Sequence, residues 1–218
     1  MDGRQIEVVD VSKTFGKQEV LRHVSLSMKS GNIYGLIGRN GSGKTVLMKC
    51  ICGLLRPTSG QILMDGRYLE EEERLLEDFG IIIGNPGFLP HYSGRKNLRM
   101  LAMIRGKCGK EKIDLAMRQV GLDPEMSRKV SEYSMGMKQR LGIAQAIMEE
   151  NSILILDEPM NGLDNQGVED MRKLFQNLKE EGRLILLASH SSEDIEVLCD
   201  QVFEMDAGIL GERKEGRV

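Results

Sequence analysis

A chain of 218 residues with a net charge of -3 is long enough for one well-buried core, or a core with an inserted lobe, and carries no global field that would draw it to nucleic acid or an anionic bilayer. No apolar stretch approaches the ~20 residues of a membrane span, and the opening MDGRQIEVVD lacks the charged and apolar regions of a signal peptide, so the chain is expected to fold and stay in the cytosol. Only five prolines and no low-complexity segment argue against a long linker or a second independent domain.

In chain order, strands and helices alternate, the pattern of an α/β layered domain. Strands are predicted over Ile6–Val11, Val20–Met28 and Ile33–Ile37, and the last feeds GRNGSGKT, residues 38–45. The spacing is that of the phosphate loop of nucleotide triphosphatases, and Gly41 and Gly43 let the backbone turn tightly enough for successive N–H groups to converge on one concavity that takes the phosphates. A helix of roughly Gly43–Cys52 then points its positive end at the same anion. Lys44 reaches the β- and γ-phosphates as a point charge, and the Thr45 hydroxyl can ligate the Mg²⁺ that bridges them. A glycine turn before a core helix is the plain alternative. It does not account for every position of this spacing falling in a strand–loop–helix context. Within that helix Cys50 and Cys52 project about 200° apart and cannot close one metal site. Together with Cys108 and Cys199 they are expected to be buried free thiols.

The acidic run Glu70–Glu73 predicts the solvated face of a short helix with Leu75 and Leu76 turned inward. A strand follows at Gly80–Ile83. From there to the strand Ile153–Asp157 the chain reads as almost wholly helical, over Gly94–Arg105, Lys110–Val120 and Met135–Glu149, which predicts an inserted helical lobe rather than another βαβ unit. The third of these helices opens with YSMGMKQR, Tyr133–Arg140, where Ser134 is placed as an N-cap and Gly136 leaves the backbone accessible. ILILDEP, Ile153–Pro159, delivers two adjacent carboxylates at the carboxyl end of a buried strand, where open α/β sheets place their ligands. Asp157 can hold Mg²⁺ through its water shell while Glu158 polarises an attacking water. An NGLD turn, Asn161–Asp164, comes next, then a helix at Gln166–Glu181, a strand at Leu184–Ala188, His190, a helix at Ser192–Cys199 and a strand at Val202–Met205.

Taken together these segments resemble the ATP-binding subunits of ABC transporters over nearly the whole chain. GRNGSGKT resembles the Walker A loop, YSMGMKQR the signature motif, ILILDEP the Walker B strand with its catalytic glutamate, NGLD the D-loop, and His190 the switch histidine. The wording YSMGMKQRLGIAQAI and NPGFLPHYSGRKNL is similar to the bacitracin- and lantibiotic-type branch. The resemblance implies a P-loop NTPase (RecA-like) core with an N-terminal antiparallel β-subdomain and an inserted helical subdomain. It makes 1–218 one ATP-binding domain, with 1–83 and 149–218 as β-subdomain and core and about 84–148 as the insertion. It implies an ATPase with Glu158 and His190 as catalytic residues and Mg²⁺ held by Thr45 and Asp157. The ATP-binding set it implies is Phe15, whose ring would lie against adenine, with Val20, Gly38, Arg39, Asn40, Gly41, Ser42, Gly43, Lys44, Thr45 and Val46.

It also implies partners. Two such domains would pair head to tail, so that Ser134, Met135 and Gly136 of one meet the γ-phosphate bound by the other, with Asp164 in the D-loop between them. A membrane subunit would dock near Asn85–Tyr92 and hold the chain on the inner face of the cell membrane. Exposed Phe88 and Leu89 there would favour docking over a rigid surface loop. Nucleic acid is not expected as a partner. The chain is also expected to lack the extra C-terminal region of some relatives.

Two departures stand out. Gly84 occupies the position of the Q-loop glutamine, so a metal-contacting oxygen is missing unless Asn85 or a water replaces it, and Met135 and Met137 replace the glycine and glutamine the family prefers. The leading function is the ATPase subunit of a transporter that exports, or gives immunity to, a peptide antibiotic or similar amphiphile. A soluble ABC ATPase acting in translation or DNA repair would usually show tandem cassettes, a coiled-coil insertion or a basic surface. A weakly hydrolysing regulatory subunit is suggested by Gly84 and opposed by intact Lys44, Asp157, Glu158 and His190.

Overall fold

The computed structural model describes residues 3–69, 77–106 and 108–212. The short helix expected around Glu70–Leu76 lies outside the described residues. The chain runs β1 Gln5–Phe15, β2 Gln18–Lys29, β3 Ile33–Ile37, α1 Lys44–Ile51, β4 Ser59–Met64, β5 Arg67–Tyr68, β6 Phe79–Ile82, α2 Gly94–Arg105 and α3 Lys110–Gln119. A 3-10 turn at Val130–Glu132 leads into α4 Met135–Ile147, β7 Ile153–Asp157, α5 Asn165–Glu180, β8 Leu184–Ala188, α6 Ser192–Leu198, β9 Gln201–Asp206 and β10 Ile209–Glu212.

The strands form two sheets. One is antiparallel with order β2-β1-β4-β5, and the other has order β10-β9-β3-β8-β7-β6. In the second, β9, β3, β8, β7 and β6 are mutually parallel and only β10 is antiparallel, on the β9 edge. Parallel pairing aligns the carboxyl ends of β3, β6, β7 and β8 along one rim, and each of the sequence motifs at 38–45, 84, 157–158 and 190 begins within two residues of such an end.

Side-chain alternation divides the hydrophobic residues between two cores. Ile153 and Ile155 of β7 and Leu184 and Leu186 of β8 face β1, β2, β4 and α1, packing with Val8, Leu21, Met28, Leu47 and Ile51. Leu154 and Leu156, Ile185 and Leu187 face the opposite way, against α2, α3, α4 and α5 through Leu98, Met117, Leu141 and Phe175. Strands covered on both sides have no polar face to show, which is why ILILD and LILLA read as unbroken apolar runs. The segment between β6 and β7 is helical as expected, and its helices share the second core with the main sheet.

Three strands escape the sequence pattern: β4, β5 and β10. β4 begins with Ser59, Gly60 and Gln61, all exposed, and Gly60 crosses β1 so closely that a β-carbon there would lie 2.2 Å from the Asp10 carbonyl oxygen, beside a register shift in β1 between Val9 and Ser12. β1 itself runs to Phe15, beyond the Val11 end expected, because the polar stretch Ser12–Phe15 continues pairing with β2 through bulges. The four cysteines are free. Cys50 and Cys52 are buried, and burial pushes both thiols up to about 11, so neither is a nucleophile near neutral pH. Cys108 and Cys199 are only half-buried, a correction to the expectation of full burial, since each lies at the margin of the helical core.

Candidate functional site

The loop after β3 is shaped by close approach as much as by turning. Gly38 adopts φ 145°, and a β-carbon on it would sit 2.2 Å from the Met205 carbonyl oxygen of β9. Only glycine can occupy such a position. The Gly208 N–H donates to the Ser42 carbonyl at 2.9 Å, fastening the loop to the β9–β10 turn. Val20 lies half-buried, with its carbonyl against the β-position of Gly43. Gly43 is the N-cap of α1 and supplies no side chain, so the first N–H groups of the helix remain for an anion. Lys44 is 7% exposed and its Nζ donates to the carbonyls of Gly38 and Arg39 at 2.6 and 3.2 Å, curling back over the loop. Ser42 Oγ is buried with no hydrogen-bond partner among the described residues, while Arg39, Asn40 and Gly41 are exposed and Val46 is half-buried. Phe15 lies at the end of β1, 48% exposed, with Lys13 Nζ 5.1 Å from its ring centre.

The rim of the parallel sheet joins residues far apart in sequence. Thr45 Oγ1 donates to Asp157 Oδ2 at 2.9 Å, linking the start of α1 to the end of β7. One residue on, Glu158 holds φ 52°, in the left-handed region. Its N–H donates to the Ala188 carbonyl at 3.0 Å, which carries it across to the end of β8. There the His190 N–H donates to Glu158 Oε2 at 3.4 Å, and the His190 ring Nε2 lies 3.3 Å from Oε1 without the alignment of a hydrogen bond. Adjacent carboxylates thus divide: Asp157 faces α1 and Glu158 faces His190.

Burial pushes the Glu158 carboxyl above its ordinary value of 4.5, and Asp157 adds to this. The charge and N–H of His190 and the charge of Lys44 oppose it. Ionising Glu158 therefore disfavours the folded state relative to the unfolded one, fully above the raised folded pKa and not at all below the unfolded value. Glu158→Gln is expected to melt at a higher temperature than the wild type near neutral pH, with the difference closing as pH falls through the folded pKa. Thermal melts across pH check this; a gap that widens in acid contradicts it.

The signature segment and the NGLD turn lie beside each other. Ser134 caps α4 by accepting from the Met137 N–H at 3.2 Å, which leaves its hydroxyl proton free to donate outward. Met135 is 63% exposed, and Gly136 lies so near the Gly162 carbonyl that a β-carbon there would approach it to 3.1 Å. Asp164 caps α5 by accepting from the Gly167 N–H at 2.8 Å.

Gly84 has φ 72° and open space at its β-position, so the glycine serves a left-handed turn at the end of β6. Asn85 beside it is exposed. In the loop that follows, Leu89 is 49% exposed, but Phe88 is half-buried against the helical core, which corrects the reading of both as candidate exposed residues. Buried Asn97 pins this loop: its Oδ1 accepts from the Leu89 N–H at 2.7 Å and its Nδ2 donates to the Leu89 and Ser93 carbonyls. An open cavity of about 410 Å³ lies along β6 and Gly84–Gly87, lined also by Leu101 and Ile104 of α2 and by Gly142 and Gln145 of α4.

Sequence reasoning missed Asn97 as the loop's anchor and Gln139, whose Nε2 donates to the carbonyls of Glu158 and Pro159 at 3.1 and 2.9 Å. It also missed Arg172, buried on α5 and bonded to Asp194 of α6 at 3.0 and 2.6 Å. A buried polar residue gives no pattern in one sequence until its partner is seen.

Residues 21–161 match the family described as ABC transporter. The bacitracin transport ATP-binding protein BcrA of Enterococcus faecalis is 42% identical over 209 residues, 95% of this chain and 68% of that protein. The lantibiotic transport ATP-binding protein SrtF of Streptococcus pyogenes is 36% identical over 195 residues, 89% of this chain and 84% of that protein. A solved structure described as the ATP binding subunit of an ABC transporter superposes with a TM-score of 0.85 at 29% identity, covering 95% of this chain and 90% of that one. A tight glycine loop at the end of β3, a rim carrying two adjacent carboxylates and these likenesses agree: the chain belongs to the ABC transporter family, as an ATP-binding and ATP-hydrolysing subunit.

Proposed function

We propose that this subunit drives export of, or immunity to, a peptide antibiotic or similar amphiphile. The antibiotic part rests on the likeness to the bacitracin and lantibiotic transport proteins. The catalytic part rests on one observation: Thr45 with Asp157, and Glu158 with His190, meet at neighbouring strand ends beside the phosphate loop.

In this reading the loop residues Gly38–Val46 cradle the phosphates, and Lys44 turns from the loop carbonyls to the β- and γ-phosphates. Phe15 and Val20 contact the nucleoside. Thr45 and Asp157 form a hard, all-oxygen pair that fits Mg²⁺, which would neutralise charge on the phosphate oxygens. Glu158 accepts the proton of the attacking water, and His190 orients the carboxylate. Ser134, Met135 and Gly136 meet the γ-phosphate of a second copy head to tail, with Asp164 at the junction between copies. Residues 84–148 act as the helical insertion in one domain.

A membrane subunit would dock at the cavity beside Gly84–Gly87 and the Asn85–Tyr92 loop, flanked by exposed Leu89, Met103 and Ile104. Among the described residues no helix is long and apolar enough to cross a membrane, so that subunit would supply the span and hold this chain on the inner membrane face. The test is to co-purify the chain with the product of a neighbouring membrane-protein gene and compare ATPase activity with and without candidate peptides. Failure of any membrane subunit to associate, together with hydrolysis indifferent to Glu158→Gln, defeats the proposal.

Gly84 supplies no metal-contacting side-chain oxygen, which predicts weakened Mg²⁺ affinity and slower hydrolysis. Gly84→Gln is expected to lower the Mg²⁺ concentration needed for half-maximal activity and raise the rate, with a stability loss of about 1–2 kcal/mol because an L-residue is strained at φ 72°. Steady-state rates across Mg²⁺ concentration decide it, and unchanged metal dependence and rate reject it.

A further inference from the structure

Glu158 holds a conformation that a non-glycine residue adopts only when its surroundings impose it. The Ala188 carbonyl fixes its N–H. Its own carbonyl accepts from the Asn161 N–H at 3.2 Å and from Gln139 Nε2 at 3.1 Å, and the same Nε2 donates to the Pro159 carbonyl at 2.9 Å. Both partners are carbonyl oxygens, so the amide presents its two N–H groups, one to each. Gln139 stands one turn into α4, on the helix that Ser134 caps.

Three neighbouring features reinforce this link. Met135 lies over Gly162, where a β-carbon would come within 2.8 Å of its Cγ and Cε. Gly136 closes on the Gly162 carbonyl. Arg140 Nη1 donates to the Val120 carbonyl at 2.6 Å, and Nη2 lies 3.5 Å from Asp170 on α5. The first turns of α4 are thereby fastened to the whole stretch from Glu158 to α5, by a side chain that reaches the backbone of the catalytic glutamate itself.

We propose that Gln139 is a positioning residue for Glu158 and that, through it, the signature end of α4 and the catalytic loop of the same chain move as one body. The second half rests on the head-to-tail pairing proposed above. There, Ser134 and Glu158 of one chain serve two different ATP molecules, so a shift of α4 on closing around one nucleotide reaches the carboxylate that hydrolyses the other. Two such links, one per chain, couple the sites without any direct contact between nucleotides.

The full chain carrying Gln139→Met keeps the length and helix preference of glutamine but has no donor. Gln139→Glu keeps the shape and turns a carboxylate toward two carbonyl oxygens. Both are expected to lower kcat for ATP by about 10- to 100-fold with KM changed by less than about threefold, Glu the more severe. Gln139→Asn, with both donors on a shorter stem, is expected to fall between Met and wild type. A melting temperature measured for each separates positioning from loss of fold, since a merely structural role would lower stability and leave the kcat of the folded fraction intact. A kcat for Gln139→Met within about twofold of wild type overturns the positioning role.

For the coupling, wild type is expected to respond to ATP with a Hill coefficient above one and Gln139→Met with a value near one. An unchanged coefficient overturns it. Size-exclusion chromatography of Glu158→Gln with ATP separates the two readings: absence of an ATP-driven dimer defeats head-to-tail pairing and the coupling with it, while the kcat and KM split still decides the role of Gln139.

Discussion

Replacing Glu158 with glutamine is expected to lower ATP turnover by at least about 100-fold, the scale of a lost general base, while ATP binding is retained. Glutamine preserves the size of the side chain and the acceptor that meets the His190 N–H, at 3.4 Å from Glu158 Oε2 in the wild type. What it removes is the basic oxygen. The phosphate loop, Lys44 and the Thr45–Asp157 pair lie on other elements and are untouched, so a nucleotide-binding titration should report an affinity close to wild type. The same substitution also relieves the buried charge, so the variant should be slow and stable together. Loss of binding along with turnover would mean that Glu158 shapes the pocket rather than the reaction. The expected pH dependence follows from the same group. A carboxyl raised by burial must ionise to act as a base, so turnover should fall on acidification at a pH above that of an ordinary carboxylate, and this limb should vanish from the residual activity of the variant.

Gly80→Ala should be strongly damaging although the residue carries no chemistry. A β-carbon at Gly80 would lie 2.0 Å from the Ala146 carbonyl oxygen at the end of α4 and 2.6 Å from Leu154 Cδ2. Backbone and a fully buried leucine cannot yield there, so β6 or α4 must move. Overpacking of this kind costs about 3 kcal/mol or more, which for a domain of this size is a drop of about 6–12 °C in melting temperature. Because β6 ends at the Gly84 turn and α4 begins at Ser134, the shift would also separate two parts of the proposed site, and turnover should fall further than stability alone explains. Gly87→Ala, seven residues on, where a β-carbon meets nothing within 4 Å, is the control and should melt like wild type.

The sequence made the strands with two apolar faces plain, because their burial on both sides writes an unbroken apolar run, as in ILILD and LILLA. It also made the helices between β6 and β7 plain, through 3.6-residue periodicity in α2 and α3 and a capped apolar run in α4, and the phosphate loop, whose spacing is local. β4 and β5 were illegible because one polar face and a glycine crossing break the pattern, and β10 because its pairing is with a neighbour across a turn rather than with anything its own residues announce. Gly84 read as a missing side chain; its positive φ gives it a backbone task that no single sequence displays.

By itself, then, the sequence determined the ligand class and the candidate residues for its site: Lys44 and Thr45 on a tight loop, Asp157 and Glu158 at the tip of a buried strand, His190 beyond another. Their chemistry is written in residue type and short-range spacing. Only the tertiary structure decided which carboxylate faces α1 and which faces His190, that Glu158 sits in a left-handed conformation, and that Gln139 reaches across from the signature helix to hold it. Those relations join residues 112, 32 and 19 positions apart in the chain. Parallel strand order and helix packing set such distances, and neither is encoded in the neighbours of any one residue.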